Sequence, residues 1–220
     1  MHRSRLTVTT TIYLTGFVAT NVTTNIAIPT QSDAVPVRSV FGWIIIHQHL
    51  GFVNNWNRSW AEYKAGTGSL DGDFWLGLEK IYLLTNSQPY RLRVEVQQRT
   101  TNLWYSAEYW SFKIGDELND KYGLEVSGYS GDAGDSLHYE GDWADDREFG
   151  NYNHYGMKFT TYDQDNDKYA AGNCAKGRDG GWWYNQCYMS CLTCNSVANG
   201  WGTLPSEWHV DNSRMMIKPQ

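Results

Sequence analysis

Three carboxylates at alternate positions mark the stretch of this chain that is best suited to bind a metal ion. Asp163, Asp165 and Asp167 lie within the run D-Q-D-N-D. Alternate acidic residues in a turn bring hard oxygen ligands together, and Ca²⁺ selects hard oxygens. The EF-hand pattern is excluded, because it requires Gly where Lys168 stands and a bidentate Glu where Cys174 stands. The stretch predicts a calcium site of another kind, with a solvated acidic turn as the alternative.

The four cysteines all lie between positions 174 and 194. A disulfide across a loop as long as that from Cys174 to Cys187 stabilises by about 3 kcal/mol in the chain-entropy model. Cys191 and Cys194 form a C-x-x-C, which suits redox chemistry or half a zinc site. The sequence offers no second paired motif for zinc and no βαβ context for redox chemistry. An oxidised, extracellular framework is therefore favoured.

Composition limits the class of protein. The 220 residues are enough for one good-sized domain. Eleven Trp and 15 Tyr beside 21 Gly favour irregular β-rich structure with long loops. The net charge is −6 with dispersed Lys and Arg, which argues against nucleic acid as a partner. No apolar run approaches the roughly 20 residues of a membrane span. The sequons at Asn21 and Asn57 agree with secretion.

The N-terminal part differs in texture from the rest. Residues 1–38 are rich in Thr, Val and Asn, and we predict an extension outside the main fold. Residues 2–5 suit the positive region of a signal peptide and residues 6–19 a weak apolar region. A mis-assigned first exon is the alternative.

From Phe41 onward the patterns indicate regular elements. Phe41–His47 predicts a buried strand, and Trp56–Lys64 a short helix with its aromatic residues on one face. Tyr90–Val96 alternates strictly, as a half-buried strand should. Trp104–Phe112 and Tyr122–Tyr129 predict further strands. Together they predict an antiparallel sheet.

Six ordered motifs carry a family resemblance. The chain from about 41 to 219 resembles the fibrinogen C-terminal domain, the domain of fibrinogen-related lectins of the ficolin and tachylectin kind. The motifs are W-x-x-Y-K-x-G-x-G-x-L (60–70), F-W-L-G-L-E-K-I (74–81), A-E-Y-x-S-F-K-I-G (107–115), S-G-Y-S-G-x-A-G-D-S-L (127–137), M-K-F-T-T-x-D-x-D-N-D (157–167) and N-C-A…G-G-W-W-Y-N-x-C (173–187).

The resemblance implies an α+β domain over residues 39–220, with a central antiparallel sheet, short helices and a loop-rich C-terminal lobe that binds Ca²⁺. Its calcium ligands correspond to the carboxylates of Asp165 and Asp167 and to the carbonyl of Tyr169. The second carbonyl falls at Ala171 or Gly172, because this chain has one residue more than usual before the next cysteine. Asp163 is expected to shape the turn or to hold a water ligand.

The resemblance also implies a disulfide between Cys174 and Cys187 and a cis peptide bond between Gln186 and Cys187. In lectin members of the family an adjoining aromatic pocket holds an acetyl group. The corresponding candidate ligand-binding residues here are Tyr184, Gln186, Cys187, Tyr188, Ala198 and Trp208.

Departures from the family pattern indicate a remodelled pocket. Tyr188 replaces the usual His, and Val197 replaces an aromatic residue. Trp183 and Trp201 suit either an apolar wall of the pocket or the core. The family's first disulfide has no cysteines here. The C-x-x-C suits a local clip or pairing with another chain.

The resemblance implies a secreted, calcium-dependent recognition protein of innate immunity that binds acetylated sugars or glycoconjugates. The alternative is an extracellular matrix or signalling ligand that binds a protein receptor through the same lobe. A decayed copy with a surviving calcium site is a third hypothesis. Oligomers are expected by analogy. An enzyme is not expected, because Ser136 lacks a nucleophile elbow and the His residues stand at no telling position. The acidic residues of the 140–155 insertion suit a solvated loop or a second calcium site: Asp142, Asp145, Asp146 and Glu148.

Overall fold

A computed structural model describes residues 7–8, 22–30, 34–51, 55–139, 152–195 and 197–220. Its strands are β1 (Thr7–Val8), β2 (Val22–Ile26), β3 (Val35–Val40), β4 (Trp43–Leu50), β5 (Thr67–Gly68), β6 (Phe74–Trp75), β7 (Tyr90–Gln98), β8 (Trp104–Ile114), β9 (Leu124–Gly131), β10 (Ser190–Cys191), β11 (Gly200–Trp201) and β12 (Val210–Pro219). The helices are α1 (Trp60–Ala65), α2 (Leu78–Ser87), α3 (Glu117–Asp120) and α4 (Cys174–Arg178). The predicted α+β class is confirmed.

The long antiparallel sheet follows the order β1-β2-β3-β4-β12-β7-β8-β9. The last strand, β12, therefore lies in the middle and pairs with β4 on one side and β7 on the other. In β7 every second side chain is buried, with Leu92, Val94 and Val96 inward. This confirms the strand predicted from strict alternation, since side chains alternate between the two faces of a sheet.

Helix α1 begins four residues later than predicted. Ser59 is its N-cap, and Ser59 and Glu62 form a capping box that fixes the first turn. Trp56 precedes the helix but is still buried, and its carbonyl accepts a hydrogen bond from the Tyr63 hydroxyl at 2.7 Å. Gly66 ends the helix at φ +100°, and a Cβ there would lie 2.4 Å from the Leu76 carbonyl oxygen. Only glycine fits both conditions.

Residues 22–26 and 35–38 contribute to the sheet. Strands β2 and β3 pair with each other, and β3 pairs with β4 through a two-residue turn. Ile28 and Val37 are buried in the main core. The described part of the predicted extension therefore lies against the domain rather than outside it, because backbone pairing with β4 continues the sheet. The domain boundary at residue 38 stays a prediction.

Aromatic rings connect the sheet to the C-terminal lobe, which we define as residues 152–195 and 197–209. Phe159 lies 5.9 Å from Trp75 of β6 and 5.2 Å from Trp183, measured between ring centroids. All three side chains are fully buried. The lobe is thus anchored on the same core as the sheet.

Two predictions fall outside the described residues. The acidic residues Asp142, Asp145, Asp146 and Glu148 lie in residues 140–151, and most of the predicted signal sequence lies in residues 1–6 and 9–21. Within the part of the chain that the structure describes, no helix is long and apolar enough to cross a membrane.

Candidate metal-binding lobe

An open cavity of about 640 Å³ lies beside the acidic run. Asp165 and Asp167 line it together with Tyr169 and Gly172. The remaining lining residues are Lys168, Ala170, Asn173 and Lys176. Of the two positions predicted for the second carbonyl, Gly172 lines the cavity and Ala171 does not.

Asp167 is fixed by the backbone around it. Its Oδ1 accepts a hydrogen bond from the amide of Tyr169, and its Oδ2 accepts one from the amide of Cys174, both at 2.8 Å. Partial burial raises the pKa of Asp167 to about 6, and repulsion from Asp165 adds to this rise. A bound cation would relieve both penalties.

Asp163 has a different role from its two neighbours. Its Oδ1 accepts hydrogen bonds from the amide of Trp60 at 2.8 Å and from the hydroxyl of Thr161 at 2.7 Å. It therefore ties the acidic run to the first turn of α1 and does not line the cavity.

The donor set fits Ca²⁺. Two carboxylates and nearby carbonyl groups supply the oxygen ligands that this ion prefers. Among the described residues no cluster of three or more His, Cys, Asp or Glu side chains could hold a metal. Backbone carbonyls, such as those of Tyr169 and Gly172, would therefore have to supply the rest of the coordination. Lys168 and Lys176 oppose a cation, but flexible side chains can keep their ammonium groups in water.

The acidic run is connected to the loop that follows α4. Asn173 is the N-cap of α4, and its side-chain amide donates to the carbonyl of Thr161 at 3.0 Å. The amide of Lys168 donates to the carbonyl of Asn185 at 3.0 Å. Hydrogen bonds therefore connect the two loops directly.

Cys174 and Cys187 form a disulfide with 5.6 Å between their Cα atoms. The peptide bond between Gln186 and Cys187 is cis. Both features match what the family resemblance implies. Cys191 and Cys194 form a second disulfide with each other. The C-x-x-C therefore forms a local disulfide within the chain and does not pair with another chain.

The candidate pocket residues divide into buried and accessible groups. Tyr184 is fully buried, with its hydroxyl donating to the carbonyl of Gly180, and Ala198 is buried too. Neither offers side-chain surface to a ligand. Gln186 is exposed, whereas Tyr188 and Trp208 are half-buried with ring centroids 6.3 Å apart.

The rest of the aromatic wall belongs to the core or is partly covered. Trp183 and Trp201 are fully buried, so they belong to the core and not to the wall of a pocket. The guanidinium carbon of Arg178 lies 5.1 Å from the centroid of the Tyr188 ring. One face of this accessible ring is thus already occupied by a cation.

His154 positions the loop around the second disulfide and was missed by sequence reasoning. Its Nε2 accepts hydrogen bonds from the amides of Met189 and Ser190, both at 3.0 Å, and its Nδ1 donates to the carbonyl of Trp183. Full burial lowers the pKa of His154 to about 4, so the ring is neutral at physiological pH. No local motif marks such a role, because all three partners come from distant positions.

Comparison with known proteins settles the family. The model of the C-terminal globular domain of fibrinogen beta and gamma chains matches residues 38–220. The chain belongs to this family. The match confirms the predicted resemblance. It also agrees with the prediction that the domain is not an enzyme, since this is a family of ligand-binding domains.

Several relatives are similar over the same region. Bovine (Bos taurus) fibrinogen-like protein 1 is 40% identical over 158 residues, which is 69% of this chain and 47% of that protein. Human (Homo sapiens) fibroleukin is 36% identical over 197 residues, 81% of this chain and 42% of that protein. Bovine angiopoietin-related protein 1 is 42% identical over 144 residues, 66% of this chain and 26% of that protein. The chain thus spans less than half the length of each of these relatives.

Solved structures agree. The fibrinogen-like globe domain of human ANGPTL2 has a TM-score of 0.77 at 33% identity, covering 91% of this chain and 93% of that domain. The lamprey fibrin D-dimer complexed with the peptide ligand Gly-His-Arg-Pro-amide has a TM-score of 0.77 at 31% identity, covering 93% and 70%.

Proposed function

We propose that this domain is an extracellular recognition domain that binds a protein partner through its C-terminal lobe and requires Ca²⁺ to order the binding loop. The observation that supports a protein partner most directly is the state of the pocket. Arg178 covers one face of the Tyr188 ring, and Tyr184 is buried. Both residues therefore offer little lining for a deep pocket, which favours a binding surface. Similarity to fibroleukin and angiopoietin-related proteins supports the same alternative.

Calcium has a specific part in this proposal. Asp165 and Asp167 bind the ion with carbonyls of Tyr169 and Gly172. The ion neutralises two adjacent carboxylates and thereby fixes residues 165–173. The hydrogen bond from Lys168 to Asn185 transmits this order to the loop with the cis peptide bond, where exposed Gln186 meets the partner.

Acetylated sugars are the second candidate ligand. The feature in their favour is the half-exposed ring pair of Tyr188 and Trp208, since sugar faces stack on aromatic rings. The relatives do not specifically favour this hypothesis, and a role in innate immunity depends on it. Secretion is part of both proposals and agrees with the two disulfides of the lobe.

Thermal melting with defined probes tests the proposal. We would melt the oxidised full chain in EDTA, in Ca²⁺, and in Ca²⁺ with either N-acetylglucosamine or Gly-His-Arg-Pro-amide, the peptide bound in the lamprey structure. A ligand at 100 times its dissociation constant stabilises by about 2.7 kcal/mol, which shifts the midpoint by several degrees. We expect Ca²⁺ to raise the midpoint and the peptide to raise it further.

The controls separate the metal from the ligand. Asp165→Asn should remove the calcium shift, whereas Asp179→Asn, outside the cavity lining, should keep it. A further rise with the sugar alone would favour the second candidate. A midpoint that is equal in EDTA and Ca²⁺ would refute the calcium site and the calcium-dependent mechanism with it.

A further inference from the structure

A row of aromatic and cationic side chains crosses one face of the sheet, away from the residues of the C-terminal lobe. We call it the aromatic–cation row, consisting of Trp43, Arg91, Trp110 and Lys218, with the turn at Phe41 beside it, because Lys218 Nζ donates to the Phe41 carbonyl at 3.4 Å. The guanidinium carbon of Arg91 lies 5.4 Å from the ring centroids of both Trp43 and Trp110. Lys218 Nζ lies 5.9 Å from the Trp43 ring. Arg91 is thus held between two indoles, which restricts where its N–H groups point.

The two cations of this row have no acidic partner within the part of the chain that the structure describes. Lys218 stands directly opposite Arg91 in the pairing of β12 with β7, and like charges at directly opposite positions destabilise a sheet. Among the described residues neither makes an ion pair, and Arg91 Nε is buried without an acceptor. Nearby cations on the same strands differ, since Arg93 and Arg214 both pair with Glu95.

Phe41 shows an independent anomaly. It occupies the two-residue turn between β3 and β4 at φ +49°, a position where Asn, Asp or Gly is preferred because bulky residues are strained there. Its side chain is 65% exposed, and that of Trp110 is 60% exposed. Packing in the hydrophobic core therefore does not account for either aromatic residue.

We propose that the aromatic–cation row is a second docking surface, which binds an acidic segment of a partner protein. A carboxylate of that segment bonds the Arg91 guanidinium and Lys218, and apolar side chains beside it pack on Phe41 and Trp110. This surface goes beyond the proposed function, because none of its residues belongs to the C-terminal lobe.

The balance of charge and apolar area favours a protein over a polyanion. Polyanion binding depends on many cations, and this row has two, on a chain of net charge −6. Trp and Arg dominate the energetic centres of protein interfaces, and an Arg held by flat rings recognises a carboxylate with little loss of side-chain freedom.

Peptide selection on the whole chain tests the surface. A displayed library of 12-residue peptides would be selected on the wild type and counter-selected on Arg91→Gln. We expect the enriched peptides to share an Asp or Glu flanked by apolar residues. Fluorescence anisotropy with the synthetic peptide should show at least tenfold weaker binding to Arg91→Gln and to Trp110→Ser. A peptide in which this Asp or Glu is replaced by Asn or Gln should lose affinity to a similar degree.

Matched controls distinguish this site from the lobe and from general charge effects. Lys113→Gln likewise removes a cation from the sheet, in strand β8. Because Lys113 already pairs with Glu125, binding of the peptide should change less than twofold. Binding should persist in EDTA, which separates this surface from the calcium-dependent site. Lys218→Gln, which removes the other cation of the row, replaces Arg91→Gln if that variant folds poorly.

Several outcomes would overturn the proposal. Enriched peptides without an acidic residue, or with equal affinity for Arg91→Gln, would do so. Tighter binding of heparin or of phosphatidylserine vesicles than of any selected peptide would identify a polyanion or a lipid surface instead. Self-association of the wild type that Arg91→Gln abolishes would identify a second copy of the chain as the occupant.

Discussion

In strand β7 every second side chain is buried, and the strand pairs through its backbone with β12 and β8. Burial in the C-terminal lobe does not alternate in this way. Besides its share of the common aromatic core, the lobe is held by individual contacts between separated positions: two disulfides, the Asn173 cap, and the three hydrogen bonds of His154. The sheet spreads its stability over many similar positions. The lobe adds individual contacts to its share of the core, so a change of one such residue or of pH should affect the lobe more selectively.

The largest effect is expected where the two regions meet. Trp183→Ala should cost about 3–5 kcal/mol of unfolding free energy, because it empties a buried site and leaves the Tyr122 carbonyl without the indole N–H that donates to it at 2.7 Å. Urea unfolding measures the loss. Trp110→Ala, which removes an exposed indole, is the control and should cost less than about 1 kcal/mol. Equal losses would contradict the shared core.

The disulfide between Cys174 and Cys187 should come next. Replacing both residues by Ser should cost about 3 kcal/mol, since the loop between them then adds entropy to the unfolded chain. The same measurement on Cys191→Ser with Cys194→Ser should give a smaller loss, because that loop is much shorter. The opposite order would mean that the second bridge, and not the first, holds the lobe.

Acid should weaken the lobe through His154. Its pKa is about 4 when folded and about 6.5 when unfolded, so the unfolded chain binds the proton more tightly. The stability that the neutral His154 ring contributes is complete above pH 6.5 and is lost as the pH falls from 6.5 to 4. Its total is about 3–4 kcal/mol, at about 1.4 kcal/mol per pH unit.

Urea midpoints from pH 7.5 to 4.5 measure this effect. His154→Gln should lower stability at pH 7.5 and flatten the slope below pH 6.5. His47 of β4 is the counterpart in the sheet, because burial lowers its pKa to about 3. His47→Gln should also flatten the slope. A wild-type slope that survives in both variants would assign acid sensitivity to other groups.

The smallest expected effect concerns the contact between the acidic run and α1. Asp163→Ala should cost about 1 kcal/mol, because the Trp60 amide at the start of the helix loses its acceptor. The loss should be the same in EDTA and in Ca²⁺. A loss seen only in Ca²⁺ would make Asp163 part of the metal site and would contradict its structural role.

The sequence predicts the sheet well where burial alternates. Tyr90–Val96 shows the period of two directly, and several such segments predict the antiparallel sheet, whereas the α+β class follows from the family resemblance. The start of α1 was placed too early, because buried Trp56 extends the helical spacing while Ser59 caps the helix. Pairing of residues 22–26 and 35–38 with the sheet was missed, since a strand near the sheet edge depends on its partner for identity.

The candidate metal site was predictable in part. Spacing alone singles out Asp163, Asp165 and Asp167 together, and only the family resemblance separates Asp163, whose partner Trp60 is distant in sequence. His154 and the aromatic–cation row escaped for the same reason. Arg91, Trp110 and Lys218 meet only through the strand register, which a single sequence does not reveal.

The central place of β12 has a consequence for biosynthesis. β4 and β7 are translated more than a hundred residues before the strand that joins them, so a ribosome exposes two unfinished half-sheets while the lobe is still being made. Both edges that will receive β12 stay open to wrong partners during that time. A stop codon anywhere before Val210 would leave this chain without its closing strand, and such a product should depend on chaperones or be degraded.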